Sequence, residues 1–362
     1  MSKVLFWGDI HVHPHKRSSD RLQDCIDCLD WVFRTAVDRE IEDIIFLGDL
    51  FHDRQKIDVL TYQKTFEVFL KYLRGNRLRV WLLLGNHDLW HFQKWDVSSC
   101  HPLGAIEGVY VVNSPQILVI EGYPIAFLPY THNPVKDLEF LEGKFTTIAN
   151  GLVGDNYPRI LCGHLAVNGA LWNTKHQTFS EVIVEHDGDM VKLDPSWLDS
   201  WDRVFLGHYH ASQELNDFIE YVGSPLQLSF GEAEQKKHVL IYDLDTKEKE
   251  YVENQFSPKH YILTEDRLSQ QNLKDQFVRV SVEDMSASSV VEMQKKLVDN
   301  GVKTVQIQQA PRTDEHVVID AKAILYKQEE MLDQYLDQVD LEGLNKKKLL
   351  TVGRKICQGG QE

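Results

Sequence analysis

The sequence predicts an α/β fold in which a buried sheet is covered by helices on both faces, and three observations predict it. At 362 residues the chain is long enough for one large domain with one or two small ones. Its first third alternates apolar runs with amphipathic stretches in the order strand, helix, strand, helix, strand. The apolar runs are continuous rather than alternating with polar residues, as strands buried on both faces require.

The elements follow in order. "KVLFW" (3–7) is a strand ending at Gly8-Asp9. In "DRLQDCIDCLDWVFRTAVDRE" the apolar residues recur at helical spacing, which predicts a helix over 20–39. The Cys25/Cys28 pair lies on that apolar face and has no second pair to complete a zinc site, so it reads as packing. "IEDIIFLGDL" is a second strand ending at Gly48-Asp49, and residues 58–74 are helical through Val59, Leu60, Tyr62, Phe66, Phe69, Leu70 and Leu73. "LRVWLLL" is a third strand, ending at Gly85-Asn86. Further strands are expected at 109–112, 117–121, 124–129, 159–164 and 203–210, and in "FIEYVG" and "HVLIYDL".

Sequence after about 255 is more charged. There "QFVRVSV", "SASSVVEMQKKLVDNG" and "KTVQIQQ" suggest a small β-α-β domain, and 321–358 reads as helical with a turn at "LEGLN". The expected domains are therefore 1–255, 256–320 and a tail, 321–362. No internal repeat or low-complexity segment interrupts them.

Lys and Arg number 39 against 55 Asp and Glu, a formal net charge of −16. That balance argues against a protein that coats nucleic acid non-specifically, because such binding depends on basic side chains neutralising phosphates. It does not argue against an enzyme whose metal ions supply positive charge locally. No apolar run approaches the ~20 residues of a membrane span, and "MSKVLFWGD" lacks a signal-peptide pattern. Five cysteines without regular spacing fit a reducing compartment, the cytoplasm.

Five strand ends share one pattern: Gly8-Asp9-Ile10-His11, Gly48-Asp49, Gly85-Asn86-His87-Asp88, Gly163-His164 and Gly207-His208-Tyr209-His210. One such end is an ordinary cap or turn. Five of them point to a crevice outside the carboxyl ends of the strands, where ligands of open α/β sheets bind. The set supplies three oxygen donors and three or four imidazoles, a count that fits two divalent metals sharing one carboxylate. The mixed N/O character suits Mn, Fe or Zn better than Mg or Ca. A glycine before each donor would let the backbone turn sharply in a crowded pocket.

The ordered set DxH, GD, GNHD, GH and GHxH resembles the calcineurin-like metallophosphoesterase superfamily over residues 3 to about 245. Two stretches narrow the resemblance. "GDLFHDRQ" carries His52 where protein phosphatases have Asp-Arg-Gly, and "YVGSPLQLSFGE" is similar to the corresponding run of SbcD-type nucleases, bacterial or phage. The resemblance implies a two-sheet sandwich flanked by helices, a small α+β cap that faces DNA, and a helical tail. One metal would be held by Asp9, His11, Asp49 and His210, and the other by Asp49, Asn86, His164 and His208, with Mn²⁺ the expected ion. The metals would clamp the scissile phosphate and acidify the attacking water. His87 would assist the departing oxygen with Asp88 orienting its ring, and His52 would face the phosphate. The implied partners are DNA, an SbcC-like coiled-coil ATPase gripped by the tail, and a second copy of the nuclease subunit.

The chain departs from the family in "HVHPHKR", where His13 and His15 are extra and read as surface or DNA-facing residues, and Lys16 and Arg17 as possible phosphate contacts. Trp90, His91, Phe92 and Trp95 could stack on an unpaired base or support the metal loop. Two other functions stay open. One is a phosphoesterase for small phosphodiesters or phosphoproteins, which His52 and the Ser-Phe-Gly-Glu run disfavour. The other is a non-catalytic scaffold, disfavoured because every donor position is filled.

Overall fold

A computed structural model describes residues 2–14, 19–91, 94–149, 157–171, 192–283 and 285–309, and residue 348. The tail expected over 321–362 lies outside the described residues except for Lys348. Among the described residues, no helix is long and apolar enough to cross a membrane.

The chain opens with β1 (Lys3–Trp7), α1 (Ser19–Asp38), β2 (Asp43–Phe46), α2 (Val59–Leu73) and β3 (Arg79–Leu83). The start of α2 is fixed by Asp58, whose carboxylate accepts the backbone N–H of Thr61. A short hairpin follows, β4 (Leu89–His91) and β5 (Lys94–Ser98), then β6 (Val109–Val112), β7 (Gln116–Ile120), β8 (Tyr123–Leu128) and α3 (Pro134–Ala149). The second half holds β9 (Ile160–His164), β10 (Arg203–Gly207), β11 (Gln213–Glu214), β12 (Ile219–Tyr221), β13 (His238–Asp243) and β14 (Lys249–Glu253). Last come β15 (His260–Thr264), β16 (Phe277–Val282), α4 (Ala287–Asp299) and β17 (Thr304–Gln309).

These strands build two six-stranded sheets, β14-β13-β1-β2-β3-β6 and β11-β12-β10-β9-β8-β7. In the first, β1, β2, β3 and β6 run parallel; in the second, β8, β9, β10 and β12 do. Alternate side chains of β1–β3 go to different cores. Leu5, Trp7, Ile44, Phe46, Val80 and Leu82 meet α1 and α2. Val4, Phe6, Ile45, Trp81 and Leu83 instead meet Ile125, Phe127, Ile160, Cys162 and Phe205 of the second sheet. The far face of that sheet is covered by α3 through Leu138, Leu141 and Phe145. The layering is helix, sheet, sheet, helix. This is the two-sheet sandwich flanked by helices that the family resemblance implies. The reading from the apolar runs alone, one sheet with helices on both faces, is corrected: an apolar run shows that both faces are buried, not what buries them.

Cys25 and Cys28 are fully buried in the core between α1 and the first sheet, as packing residues. Helix α3 and strands β4, β5, β11, β14 and β15 are elements without a sequence expectation here. The third sheet, β15-β16-β17, leans on α1 and on the segment after β12. Lys303 pairs with Asp24, Arg21 donates to the Gln227 carbonyl at 2.7 Å, the Gln227 side chain accepts the His260 N–H at 2.6 Å, and Arg279 lies 4.2 Å from the Phe230 ring centre.

Candidate metal centre

The carboxyl ends of β1, β2 and β3 from one sheet and of β9 and β10 from the other converge, and their next residues are the donors named above. Three groups form, in each of which the donor atoms lie within 4.8 Å of one another: Asp9, His11 and His210; Asp49, His164 and His208; and His11, His52 and His87. The Asp49 carboxylate stands between the first two. Its Oδ2 lies 3.5 Å from His11 Nε2 and 3.4 Å from His164 Nε2, while Oδ1 accepts the His87 backbone N–H at 2.8 Å. The Asn86 amide oxygen is met by His164 Nε2 at 2.9 Å and His208 Nδ1 at 3.3 Å. His210 Nε2 and His11 Nε2 are 3.1 Å apart.

Local geometry explains how the chain gets these groups so close. Asp9, His11, Asp49 and His208 all have left-handed backbones, at φ 52°, 47°, 61° and 104°. Each such residue costs about 1–3 kcal/mol and persists only where its surroundings enforce it. The enforcement is visible: Asp9 N–H donates to Gly48 O (2.8 Å), His11 N–H to Asp49 O (3.1 Å), and His208 N–H to Asp9 Oδ1 (2.9 Å). The left-handed turn at His208 also ends β10 at Gly207, short of the expected 210. The glycines act more through room than through turning. A Cβ on Gly48 would sit 2.3 Å from His164 Nδ1, and one on Gly85 would sit 2.2 Å from Asp49 Oδ1. Of the five glycines in the pattern only Gly48 itself has a positive φ, so the sharp turning falls mainly on the donors themselves.

The electrostatics follow from burial. Burial raises the Asp9 carboxyl to about 6. Burial works against ionisation of Asp49 too, but the imidazoles around it, His164 first, hold it well below the usual carboxylate range. The reciprocal holds for His164, where burial is outweighed by Asp49 and the ring is pushed up to about 9. Burial and the neighbouring His87 push His11 well below its ordinary value and His52 down to about 4. The Asp49 carboxylate and a proton on His164 thus favour one another, a role that a bound cation would take over.

Two buried atoms without a hydrogen-bond partner, Asn86 Nδ2 and His11 Nδ1, flank this cluster. His164 Nδ1 is oriented by the Leu47 carbonyl at 2.7 Å, which turns Nε2 toward Asn86 and Asp49. Imidazoles, carboxylates and one amide oxygen, oriented in this way, fit a divalent cation of borderline softness.

Asp88 is placed otherwise than the sequence suggests. Its carboxylate is fully buried and accepts three backbone N–H groups, from Gly85 (2.9 Å), Asp49 (2.8 Å) and Leu50 (2.9 Å). The ring of His87 is oriented instead by the His52 carbonyl, 2.6 Å from Nδ1. A short carboxylate beside unpaired loop amides satisfies those amides before it can reach a neighbouring ring. His52 and His87 lie nearly parallel, with ring centres 5.7 Å apart, at the half-buried mouth of the cluster.

His13 is a partly exposed neighbour of this mouth. Its ring centre is 4.9 Å from that of His52, and Nε2 is 3.1 Å from Asp53 Oδ2. His15, Lys16, Arg17 and Phe92 lie outside the described residues. Trp95 is half-buried and donates to the Tyr130 carbonyl at 2.7 Å, and the Tyr130 N–H donates to Leu84 O, so Trp95 braces the β3 loop. Trp90 and His91 are exposed on β4.

One set of residues escaped the sequence reading. The side chain of Glu232 meets His210 Nδ1 at 3.0 Å and Lys237 at 2.7 Å, and both Glu232 and Lys237 are buried. The signal was present, since Glu232 closes the Ser-Phe-Gly-Glu run, but the run served only as a family mark.

A two-sheet α/β sandwich with histidines and carboxylates gathered at its strand ends defines a class, the metal-dependent phosphoesterases. The sequence pattern of the calcineurin-like phosphoesterase family matches residues 2–212, and the chain belongs to that family. Among curated relatives it is 26% identical over 282 residues to the SbcD component of the SbcCD nuclease of Escherichia coli, an alignment covering 70% of this chain and 67% of that one. It is 24% identical over 259 residues to an exonuclease subunit of Enterobacteria phage T4, covering 70% and 68%.

Proposed function

We propose that the chain is a two-metal DNA nuclease, the nuclease subunit of an SbcCD-like complex, acting on duplex ends and on single strands or hairpins. The observation that carries this reading is the divided use of Asp49. One oxygen faces imidazoles on both sides, as a bridging carboxylate must, and the other holds the backbone of His87. Asp9, His11, Asp49 and His210 would hold one ion, and Asp49, Asn86, His164 and His208 the other. Two bound Mn²⁺ ions would supply the charge that neutralises the scissile phosphate and the acidity that makes water a nucleophile.

The protein's own groups do the rest. The His52 carbonyl can only accept, so His87 Nδ1 carries a proton and Nε2 is left to face the departing oxygen. His52, with its ring centre 5.7 Å from that of His87 and 4.9 Å from that of His13, would contact the phosphate of a duplex end. The nuclease reading is supported by the names of the relatives, one a component of a nuclease and the other of an exonuclease. The four described cysteines are free and buried, which supports a reducing, cytoplasmic setting.

The test is cleavage of supercoiled plasmid, linear duplex and a generic phosphate monoester, each with Mn²⁺ and with Mg²⁺. Cleavage of both DNAs with little monoester turnover is expected. Monoester turnover without DNA cleavage would favour a small-substrate phosphoesterase and overturn the reading.

The partner is proposed from the tail. Residues 321–358 carry Ile324, Leu325, Met331, Leu332, Tyr335, Leu336 and Val339 at helical spacing, suited to laying an apolar face on a coiled coil. A chain ending at Asp320 is expected to keep its metals and basal cleavage but to lose co-purification with the ATPase and any ATP stimulation. Undiminished binding by the shortened chain would sink this assignment.

A further inference from the structure

His210 differs from the other donors in where it stands. His164 ends strand β9 and its ring is fixed by the Leu47 carbonyl, but His210 lies beyond the end of β10, outside any ladder. A single segment, "GSPLQLSFGEAEQKK" (223–237), holds it at both backbone and ring. The His210 carbonyl accepts the Ser224 N–H at 3.1 Å and the Lys237 ammonium at 2.9 Å. The ring Nδ1 meets Glu232 Oε1 at 3.0 Å. The other oxygen of Glu232 accepts the Leu228 N–H at 3.1 Å and faces Lys237 at 2.7 Å. Lys237 is anchored further by Ser224 Oγ at 2.8 Å and Gln235 Oε1 at 2.9 Å.

We propose that Glu232, fixed by Lys237, is the positioning residue of His210 and sets the affinity of the metal position that His210 shares with Asp9 and His11. A carboxylate accepts only, so the His210 Nδ1 bonded to it carries the proton and the lone pair lies on Nε2, the nitrogen 3.1 Å from His11 Nε2. A buried ion pair serving stability alone gains little over apolar residues of similar volume. The Glu232–Lys237 pair is joined to the ring and to the carbonyl of the same histidine, which a purely structural pair does not require. The carboxylate is also held still: it lies in the short helical turn Phe230–Glu232, whose start is capped by Ser229 on the Gly231 N–H. The inference rests on reading His210 as a metal donor.

The test is a calorimetric titration of the metal-free full chain with Mn²⁺. The parent should bind two ions. Glu232→Gln should weaken one of them about 10–100-fold, the usual effect of losing an orienting partner, and leave the other within about twofold. Because Glu232→Gln strands a buried ammonium, Glu232→Gln/Lys237→Met is titrated beside it. With both charges removed, the double variant should keep its fold by circular dichroism and show the same one-site loss. In a His210→Ala background, Glu232→Gln should change neither affinity further.

Parental affinity at both sites in either variant, or equal weakening at both sites, would overturn the proposal. Unfolding of both variants would make the pair structural and overturn it too. A parent that binds fewer than two ions would instead fail the two-metal reading itself, and the proposal would fall with it.

Discussion

The two halves of the donor cluster are built differently. Asp49, Asn86, His164 and His208 are buried where the strand ends of the two sheets converge, and Asn86 and His164 are wholly inaccessible. Asp9 and His11 are buried as well, but their companion His210 is half-buried in a loop, and beside it His13, His52 and His87 reach the surface. The inner half is oriented by strand ends and their carbonyls, such as Leu47 O on His164. The outer half is oriented by side chains and loop carbonyls brought from elsewhere, Glu232 on His210 and His52 O on His87. An inner position held by strand ends and an outer one held by loops and open to solvent would suit the nuclease proposed above.

The sharpest way to break this comparison is to remove what the halves share. Asp49→Ala is expected to release metal from both and to lower cleavage by more than the ~10²–10⁴-fold effect of losing a general acid. Elemental analysis of the purified variant checks it, and retention of both ions would disprove the bridging role. His87→Ala should separate chemistry from metal holding, with a ~10²–10⁴-fold fall in rate and metal content near the parent's. Normal cleavage, or loss of both ions, would move His87 out of the chemistry.

Asp88→Asn acts on the inner scaffold. Only one oxygen would remain for three loop amides, and a buried amide left unsatisfied costs about 1–3 kcal/mol. Urea unfolding should show a loss of that order, whereas unchanged stability would remove Asp88 from the scaffold. His52→Ala is expected to have the smallest and most selective effect, on the outer mouth alone. Digestion of duplex ends should fall more than nicking of single strands, and equal losses on both would return His52 to a structural role.

Legibility in the sequence divides between the donors and the groups that hold them. The donors of both halves announce themselves as Gly-Asp, Gly-Asn and Gly-His after apolar runs, because a strand that ends in a polar residue at a crowded crevice leaves a local mark. Asp88 was legible as a member of the set but not in its role. Nothing in "GNHD" says that its carboxylate will reach the amides of Asp49 and Leu50, almost forty residues away in the chain. Glu232 was quoted in the sequence but had no role, since its partner His210 lies 22 positions earlier in a separate loop.

By itself, then, the amino-acid sequence determined the order of the strands, the buried character of both their faces and the chemistry offered at their ends. These depend on the period of apolar residues and on the residue types next to a turn, which are local properties of the chain. The apolar period did not say that one face of each sheet is covered by the other: the family resemblance implied it and the tertiary structure shows it. Only the tertiary structure decided that four donors take left-handed backbones, that Asp49 faces two imidazoles at once, and that Glu232 meets His210. Those are contacts between segments distant in the chain, and their geometry exists only once the two sheets have packed and the strand ends share one crevice.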